Sequence, residues 1–464
     1  MKVLSLPKTT LSCSAINFLT CYVVSAMLQL ALANDGVTPK DVAALDHQLT
    51  PMGGLRTGNI EGTIPPWTGG ITSPPKPYVT GGNYINPFAE DSIQFVITRD
   101  NYQSVANRLT TGHKALLLKH DNYKMNIYPT RRSASYSENI YKAIKSNAIS
   151  AKLLPRSSGV VNSKMTSPFP LAGSAEEMLW NHSLRYRGKR MQVRSASAAV
   201  TSLGKYVPTV TDRKYFVIYA QPALDAKKFE NKFFYLKFRT VAPARDAGNI
   251  SLVHESIDQI VSPRKAWQYF AGQRRLRRSP NIAYDSYTSE SNSLRTVDQF
   301  DMFNGAPDQY QWKIVGKKEL YVPYNAYRLN DFSVGITDIL QEKHINQELA
   351  RYELHRVWIV EGRLRTGIRH IYSRRLIYLD EDSWQVLVTE EYDQQERLWR
   401  VQEGHAMNYY DQPFVSTALE VVYDLQESRY FVDGMDNEYG GIKFDADMKA
   451  RAFSTSAVRR EAKR

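Results

Sequence analysis

The chain has 464 residues, 42% of them hydrophobic, which is enough for a core in one large or two ordinary domains. Its formal net charge of +13 favours contact with anionic lipids or polyanions. Nucleic acid is not an expected partner, because the sequence contains no recognition module for it. The sequence also lacks a phosphate loop, a dinucleotide fingerprint and a nucleophile elbow, so no cofactor is predicted.

The first 33 residues are typical of a secretory signal peptide. Lys2 and Lys8 form a basic start, residues 15–32 are almost entirely apolar, and Ala31-Leu32-Ala33 is an A-x-A-like cleavage site. The alternative is a membrane anchor, because the apolar run approaches the ~20 residues that span a bilayer. Cleavage after Ala33 predicts an exported protein.

Both cysteines of the chain, Cys13 and Cys21, lie inside this segment. Neither follows a complete apolar run, so a lipid-modified cysteine is not expected. The mature chain would contain no cysteine, which excludes a disulfide, a thiolate nucleophile and a cysteine metal ligand.

Residues 34–170 predict an N-terminal arm rich in proline and glycine, together with short helices. Thr38 is a good N-cap for a helix that begins at Pro39. Residues 49–87 contain too many prolines and glycines for a regular helix or a central strand. A disordered linker is the alternative there. An ordered arm over the folded domain is favoured by the interleaved aromatic residues Trp67, Tyr78, Tyr84 and Phe88.

Helical spacing appears at three places after the arm. Thr98 is expected to cap a helix that reaches Leu109, and a second short helix is predicted over residues 114–120. Ser174 and Glu177 form a capping box in front of an apolar helical face that includes His182. A single histidine on such a face is expected to be a hydrogen-bonded core residue rather than a metal ligand.

Strands dominate residues 171–440, which are expected to form the main domain. Apolar runs predict strands at 215–220, 232–241, 250–259, 352–364, 369–380, 384–392 and 398–407. The short polar turns between the later strands indicate an antiparallel sheet, and a sheet of this length twists and curls. Residues 294–349 mix loop and helical signals and are expected to cover one face, while residues 441–464 form a basic tail.

A central hairpin is predicted between residues 266 and 285. Trp267 and Tyr269 share one face of its first strand, and Gly272 is expected to take a positive φ in the turn. The second strand ends at Pro280 and carries four arginines: Arg274, Arg275, Arg277 and Arg278. An aromatic strand therefore lies beside a cationic strand, and a merely solvated arginine face is the alternative.

Candidate catalytic and metal-ligating residues are few. The histidine–carboxylate groups that suggest acid–base pairs are His254 with Glu255, Glu353 with His355, and His370. All lie on predicted strands, where a hydrogen-bonded histidine is the expected role. Three aspartates lack the spacing of a calcium loop, namely Asp298, Asp301 and Asp308. The sequence therefore predicts no catalytic residue and no metal ligand, and the protein is expected not to be an enzyme.

Several short motifs carry a resemblance to known proteins. They are Gly58-Asn59-Ile60-Glu61-Gly62-Thr63-Ile64-Pro65, Trp67-Thr68-Gly69-Gly70, Asn86-Pro87-Phe88, Tyr128-Pro129-Thr130-Arg131-Arg132, Trp180-Asn181-His182 with Arg185-Tyr186-Arg187, Asp301-Met302-Phe303-Asn304-Gly305, Tyr352-Glu353-Leu354-His355-Arg356-Val357-Trp358 and Tyr378-Leu379-Asp380-Glu381-Asp382-Ser383-Trp384. In these motifs the chain resembles an uncharacterised family of Gram-negative periplasmic proteins, the domain of unknown function 1329. The central hairpin is similar to that of the LolA/LolB-like lipoprotein-sorting proteins, the group in which this family is placed.

The resemblance implies an α+β fold in which a curled antiparallel sheet forms a half-open barrel with a helical lid. Its apolar interior would bind a lipid or another hydrophobic ligand and carry it across the periplasm. The resemblance and the strand alternation together predict ten ligand-binding residues: Phe234, Leu236, Phe238, Trp267, Tyr269, Trp358, Arg274, Arg275, Arg277 and Arg278.

The resemblance also implies partners. Such families are often associated with an inner-membrane exporter of the resistance-nodulation-division type and with an outer-membrane protein. The protein is accordingly expected in the periplasm, with association to the outer membrane. Two other functions stay open, namely an enzyme that acts on an envelope lipid or glycan and a structural adaptor that binds only protein.

Overall fold

The computed structural model describes residues 37–221, 223–224, 229–279 and 284–463. The predicted signal peptide, both cysteines and Pro280 lie outside these residues. Within them, no helix combines the length and the apolar character needed to cross a membrane.

One sheet of 16 strands organises the molecule, and a separate pair, β3 and β4, lies apart from it. The strands are β1 Phe95–Ile97, β2 Met125–Ile127, β3 Lys152–Leu153, β4 Val160–Val161, β5 Arg190–Val200, β6 Thr209–Val217, β7 Lys232–Ala242, β8 Ile250–Ser256, β9 Lys265–Phe270, β10 Arg275–Ser279, β11 Tyr310–Pro323, β12 Tyr352–Leu364, β13 Arg374–Asp380, β14 Val386–Tyr392, β15 Leu398–Asn408, β16 Val415–Asp424, β17 Arg429–Met435 and β18 Lys443–Phe444.

The order across the sheet is β1-β2-β12-β13-β14-β15-β16-β17-β5-β6-β7-β8-β9-β10, with β11 also paired to β12 and β18 to β5. Neighbouring strands are antiparallel except β2 and β12, which meet in one parallel pair, Ile127 with Tyr352. Within the described chain, β1 and β10 do not pair with each other, so the sheet is open. The expected α+β class is confirmed.

Six α-helices of the described chain accompany the sheet: α1 Pro39–His47, α2 Thr111–Lys119, α3 Glu138–Ser150, α4 Ala175–Leu184, α5 Ile336–Ile339 and α6 Thr455–Glu461. The capping predictions for two of them are confirmed. Thr38 caps α1 in a complete capping box with Pro39 at the first helical position. Ser174 and Glu177 form the predicted box at the start of α4.

The predicted helix from Thr98 to Leu109 is wrong. Residues Tyr102–Arg108 form a 3₁₀ helix that is kinked at Val105, where φ is −127°. Helices of this length depend on a buried apolar face for their stability, and no residue of this segment is buried. The second helix, α2, begins three residues earlier than predicted, because Thr110 rather than a later residue caps it.

Residues 294–349 do not form the predicted cover of loops and helices alone, because they contain the long strand β11. β11 pairs with β12 along its whole length. A β-bulge between Ile314 and Gly316 shifts the register, and Gly316 takes a φ of +146°. A bulge reverses which side chains face the core, so the alternation that identifies a strand is interrupted in the sequence.

The basic C-terminal tail folds back onto the sheet. β18 pairs with β5, and α6 contacts β8 and β9. Phe453 and Val458 of this tail are buried in a small apolar cluster that includes Phe216, Ile250 and Tyr269. One face of β6–β9 is therefore covered by the end of the chain.

The Pro/Gly-rich arm lies against the sheet domain. Trp67 is 8% exposed, and its indole Nε1 donates a 2.9 Å hydrogen bond to the carbonyl of Ala134. Tyr84 donates a 2.6 Å hydrogen bond to Asp411 and packs edge-on against Tyr409 and Tyr410. These contacts join the arm to residues more than 60 positions away along the chain.

Candidate ligand-binding site

Strand alternation divides the side chains of β7 between two faces of the sheet. Phe234 and Leu236 belong to a core cluster that also contains residues of α1, α3 and α4. Tyr235 points the other way and packs with Phe453 of the C-terminal tail. The face that carries Phe234, Leu236 and Phe238 borders two neighbouring cavities.

The larger cavity, which we call the edge cavity, has a volume of about 300 Å³ and lies over β7, β8 and β9. This volume is at the lower end of the about 300–1,000 Å³ that is typical of small-molecule sites. Phe234, Leu236, Phe238, Val253 and Ala266 form its apolar wall. The segment 286–304 closes the opposite side through residues that include Phe300.

The smaller cavity, the central cavity, has a volume of about 140 Å³ and lies between β5–β7 and β16–β17. Its apolar wall includes Met191, Val193 and Phe414. Phe234 and Phe300 line both cavities, so the two spaces are separated by a pair of aromatic side chains.

The register of the central hairpin decides which of its residues face the edge cavity. Ala266 and Gln268 line that cavity. Trp267 and Tyr269 have the opposite parity, so their side chains share the face under α6. Tyr269 lines neither cavity and packs with Ile250 and Phe453, whereas Trp267 borders the edge cavity while its ring packs edge-on against His254 at 4.9 Å.

The four hairpin arginines are exposed and divide between the two faces. Arg277 lies directly opposite Gln268 and two residues before Ser279, and both of these neighbours line the edge cavity. Arg275 shares its face, while Arg278 lies opposite Trp267 on the other face. Arg275 and Arg277 therefore share the face that borders the edge cavity, although neither lines it. The guanidinium of Arg277 donates to Gln273 Oε1 at 3.0 Å and lies 5.8 Å from the centre of the Phe270 ring.

The turn of the hairpin differs from the sequence prediction. The positive φ of +50° belongs to Arg274, and Gly272 is not among the residues with positive φ. In this loop, which joins the paired residues Phe270 and Arg275, Arg274 takes the left-handed conformation. Glycine adopts that conformation with the smallest steric cost, but other residues can adopt it as well.

Two buried carboxylates hold the arginines that border the cavities. Asp433 pairs with Arg213 at 3.1 Å and with Arg295 at 2.8 Å. Burial opposes the ionisation of Asp433, but the two guanidinium groups outweigh it and hold the pKa of Asp433 well below its usual range. This triad links β6, β17 and the segment that covers the edge cavity.

Asp301 forms the second carboxylate centre and joins two of the motifs of the sequence. Arg185 contacts it at 2.6 Å, and Arg187 contacts its other oxygen. His182 accepts a 3.1 Å hydrogen bond at Nδ1 from the amide of Val386 and donates from Nε2 to the carbonyl of Asp301 at 2.8 Å. Burial, assisted by Arg185, lowers the pKa of His182 to about 3. The prediction of a hydrogen-bonded core histidine is confirmed.

Two further carboxyl groups at the central cavity are poorly ionised. Burial, followed by the charge of Asp301, raises the pKa of Glu420 to about 7. Burial raises the pKa of Asp436 to about 7 as well. Near neutral pH these groups are partly protonated, so the central cavity presents fewer negative charges than its residues suggest.

The edge cavity has one polar end, formed by Glu255 and Arg264. Arg264 Nε donates to Glu255 Oε2 at 2.5 Å. Among the described residues, Glu255 Oε1 and Arg264 Nη2 have no hydrogen-bond partner although both atoms are buried. Buried polar atoms are nearly always hydrogen-bonded. This end of the cavity can therefore offer an acceptor and a donor to a polar group.

Trp358 lies apart from both cavities. It belongs to β12, is 8% exposed in the core, and has Lys317 Nζ 4.4 Å from the centre of its ring. It is absent from the walls of the two cavities, so the structure does not bring it together with the hairpin residues.

The histidines considered as acid–base candidates all have hydrogen-bond partners. His254 Nε2 contacts the carbonyl of Phe453 at 2.7 Å, and His370 Nε2 contacts Asp298 at 3.1 Å. None of the three histidines, His254, His355 and His370, is among the residues that line the two cavities.

Similarity to known proteins extends over most of the chain. Residues 96–459 match the family model described as protein of unknown function DUF1329. The chain belongs to the DUF1329 family. An uncharacterized protein of Pseudomonas aeruginosa is 40% identical over 436 residues, which is 92% of this chain and 94% of that protein.

Three solved structures are distantly similar to the chain. A domain from Vibrio parahaemolyticus assigned to outer membrane lipoprotein sorting has 11% identity and a TM-score of 0.41 over 58% of this chain and 92% of its own. A DUF1329 family protein from Desulfovibrio piger has 13% identity and a TM-score of 0.40 over the same shares. A LolA superfamily protein from Nitrosomonas europaea has 11% identity and a TM-score of 0.35, over 61% of this chain and 99% of its own.

Sequence reasoning missed most of the polar residues at the cavities. Arg295 and Asp433 form part of no short motif, and Phe300 lies in a segment without a clear pattern. Arg187 and Asp301 did stand in motifs, but their pairing across the fold was not visible. Glu255 was considered only as a partner of His254, although adjacent residues of a strand face opposite sides.

Proposed function

We propose that this protein binds a lipid or another amphipathic hydrophobic molecule and carries it without chemical change. The observation that carries the proposal is the edge cavity, which joins an apolar wall to a polar end with unpaired donor and acceptor atoms. An apolar chain would lie along Phe234, Leu236 and Phe238. A polar group would bind at Glu255 and Arg264.

The energetics favour an apolar ligand of moderate size. Each methylene that leaves water stabilises the complex by about 0.8 kcal/mol. The association entropy and the ordering of the ligand offset part of this gain. Arg275 and Arg277 lie on the cavity-side face of β10 and, by turning their side chains toward the cavity, can add charge-assisted contacts to a phosphate or carboxylate head.

The finer architecture and the cellular setting belong to the same proposal. The open sheet would act as a half-open barrel, with the segment 286–304 and the helices as its cover. The sequence of the first 33 residues supports export to the periplasm. An inner-membrane exporter of the resistance-nodulation-division type and an outer-membrane protein are the proposed partners, because related families are associated with them.

Filling the edge cavity tests the proposal. Ser251 is half-buried in the cavity wall, and Ser251→Leu would occupy part of the space. We expect Ser251→Leu to weaken the binding of a fluorescent fatty acid by about tenfold, which is ~1.4 kcal/mol. The measurement is a fluorescence titration of the mature protein, together with mass spectrometry of the molecules extracted from natively purified protein.

The matched control is Ser146→Leu, which adds the same side chain at an exposed position of α3. It should leave the affinity unchanged. Equal affinity in both variants and in the unmodified protein, with no co-purified hydrophobic molecule, would contradict the proposed function.

A further inference from the structure

A third polar centre, distant in sequence from the hairpin, lies where β12 meets the turn between β13 and β14. His355 stands on β12, Asp380 ends β13, and Asp382 lies in the turn. Their candidate ligand atoms all lie within 4.8 Å of one another. The three residues are 1%, 0% and 3% exposed, and none lines either cavity.

The imidazole of His355 is held in one orientation. Its Nε2 lies 3.0 Å from Glu353 Oε2, and its ring stacks on Tyr324 with the ring centres 3.9 Å apart. Glu353 is itself fixed by Arg351 Nε at 2.6 Å and by Asn325 Nδ2 at 2.9 Å. If Nε2 donates to Glu353, Nδ1 keeps its lone pair as a ligand. A carboxylate that orients a histidine in this way is usual around metal-bound histidines.

One oxygen of Asp380 has no explained role in the protein alone. Asp380 Oδ2 accepts hydrogen bonds from Tyr324 at 3.1 Å and from Ser383 at 2.5 Å. Asp380 Oδ1 is buried and has no hydrogen-bond partner among the described residues. A buried carboxylate oxygen without a partner loses its hydration without compensation. A cation bound at Oδ1 would supply the missing interaction.

Asp382 is equally well positioned. Arg132 donates to its two oxygens from Nε at 2.7 Å and from Nη2 at 2.6 Å, and this fork fixes the plane of the carboxylate. The neighbouring Glu381 is turned to the other cations, Lys317 and Arg356. Among the described residues, Asp380 is therefore the carboxylate of this turn that has no basic side chain as a hydrogen-bond or ion-pair partner.

The closeness of the two carboxylates also favours a cation. Their candidate ligand atoms lie within 4.8 Å of each other in a buried site, where two negative charges repel. A divalent cation between them would compensate that repulsion.

We propose that His355, Asp380 and Asp382 bind one divalent transition-metal ion of the zinc or manganese type. One imidazole nitrogen with two carboxylate oxygens suits these ions better than calcium or magnesium, which are bound mainly by oxygen ligands. Because the site is buried and separate from both cavities, the ion is structural. It ties β12 to the turn that joins β13 and β14.

The sequence could not reveal this site. Asp380 and Asp382 are two residues apart, but His355 lies on the preceding strand and no histidine or cysteine stands near the two aspartates in the chain. Motif spacing detects ligands that are close in sequence. Here the antiparallel pairing of β12 and β13 brings the ligands together.

Metal content is the direct test. Untagged mature protein is unfolded with EDTA, refolded with Zn²⁺ or with Mn²⁺, and dialysed before elemental analysis by mass spectrometry. We expect one ion per chain and a higher melting temperature than that of the protein refolded with EDTA alone. A substoichiometric content with both ions would overturn the proposal. Refolding with Co²⁺ supplies an absorption spectrum that reports nitrogen and oxygen ligands without any substitution.

Variants locate the ion. Asp380→Asn and His355→Gln should lose the ion and the metal-dependent rise in melting temperature. The matched control is Asp436→Asn, because Asp436 is also a buried aspartate but lies outside the cluster. It should keep one ion per chain. Retention of the ion by both cluster variants, or equal loss from Asp436→Asn, would place the ion elsewhere and overturn the proposal. If the cluster variants do not fold, the metal content and Co²⁺ spectrum of the unmodified protein decide.

Discussion

Buried charges decide the properties of individual residues in this protein. Asp433 and Asp301 stay ionised because each has two arginines beside it. Glu420 and Asp436 at the same cavity keep their protons to near neutral pH because their burial is less well compensated. The wall of the central cavity thus combines permanent ion pairs with carboxyl groups that titrate in the physiological range.

Glu420 should make the stability of the protein fall as pH rises. Its pKa is about 7 in the folded chain and 4.5 in the unfolded chain, so the folded state binds more protons between these values. The stability contributed by protonated Glu420 is fully present below pH 4.5 and is lost as the pH rises to about 7. Glu420→Gln removes this dependence, so its gain over the unmodified protein should grow from near zero at pH 4.5 to roughly 1–3 kcal/mol near pH 7.

The measurement is urea unfolding of both proteins at several pH values. Glu90→Gln serves as the control, since Glu90 is exposed and forms no ion pair among the described residues. Parallel stability curves for the unmodified protein and Glu420→Gln would contradict the prediction, because they would show that Glu420 has the same pKa in the folded and unfolded states.

At the scale of elements, the sequence predicts best those strands in which the pattern of apolar residues runs without interruption. β12 was predicted with its observed limits, Tyr352–Leu364, and the hairpin of β9 and β10 was placed correctly. β11 was missed because its bulge interrupts the alternation, and β5 was missed because serine and alanine fill its buried positions. Small residues carry little of the β-propensity by which a strand is detected.

The hairpin of β9 and β10 also shows why the sequence could not predict which face of a strand lies at the cavity. Alternation places Trp267 and Tyr269 together, but it does not say which side of the sheet α6 will cover. Apolar residues occur on both faces of β6–β9, because both faces are packed against other parts of the chain. The contact of Phe453 with Phe216, which settles the matter, joins residues far apart in sequence.

The two faces of β10 predict different roles for its arginines. If the edge cavity binds the apolar part of an anionic lipid, Arg277→Gln should weaken that ligand about threefold to tenfold, which is ~0.7–1.4 kcal/mol for an exposed charge. A neutral ligand with the same chain should bind unchanged. The control is Arg278→Gln, which removes the same charge from the opposite face.

The measurement is a pair of fluorescence titrations, one with a fatty acid and one with its neutral ester. A loss of affinity that is the same for Arg277→Gln and Arg278→Gln would indicate a general effect of net charge rather than a contact between Arg277 and the ligand.

At the scale of the whole molecule, the N-terminal arm and the C-terminal tail both pack against the sheet domain. Trp67 anchors the arm through Ala134, and Phe453 anchors the tail through the small cluster on β6–β9. Neither contact could be read from the sequence, because composition shows only that the arm is rich in aromatic residues. Both segments depend on surfaces that exist only after the sheet has formed.

Limited proteolysis should test the anchoring of the arm. Residues 53–88 should resist cleavage in the native protein, because Trp67 and Tyr84 are buried against the domain. Trp67→Ala removes a large buried side chain, a change that typically costs about 3–5 kcal/mol, and should open this segment to cleavage. Ile60→Ala is the control, since Ile60 is 72% exposed in the same arm. Rapid cleavage of the unmodified arm would show that these contacts do not hold it.

The pairing of β5 with β17 has a consequence for how the chain acquires its fold. β5 lies near the middle of the sheet, yet its partner is made from residues close to the C-terminus, as in the pair Val200 with Tyr430. Contacts of such long range are slow to form, since the intervening chain must first be ordered. A chain that emerges from a ribosome or an export channel with its N-terminus first cannot join these strands until almost all of it has emerged. During that interval the edge of β5 that β17 will cover is exposed to other chains, so assembly depends on protection of the nascent polypeptide.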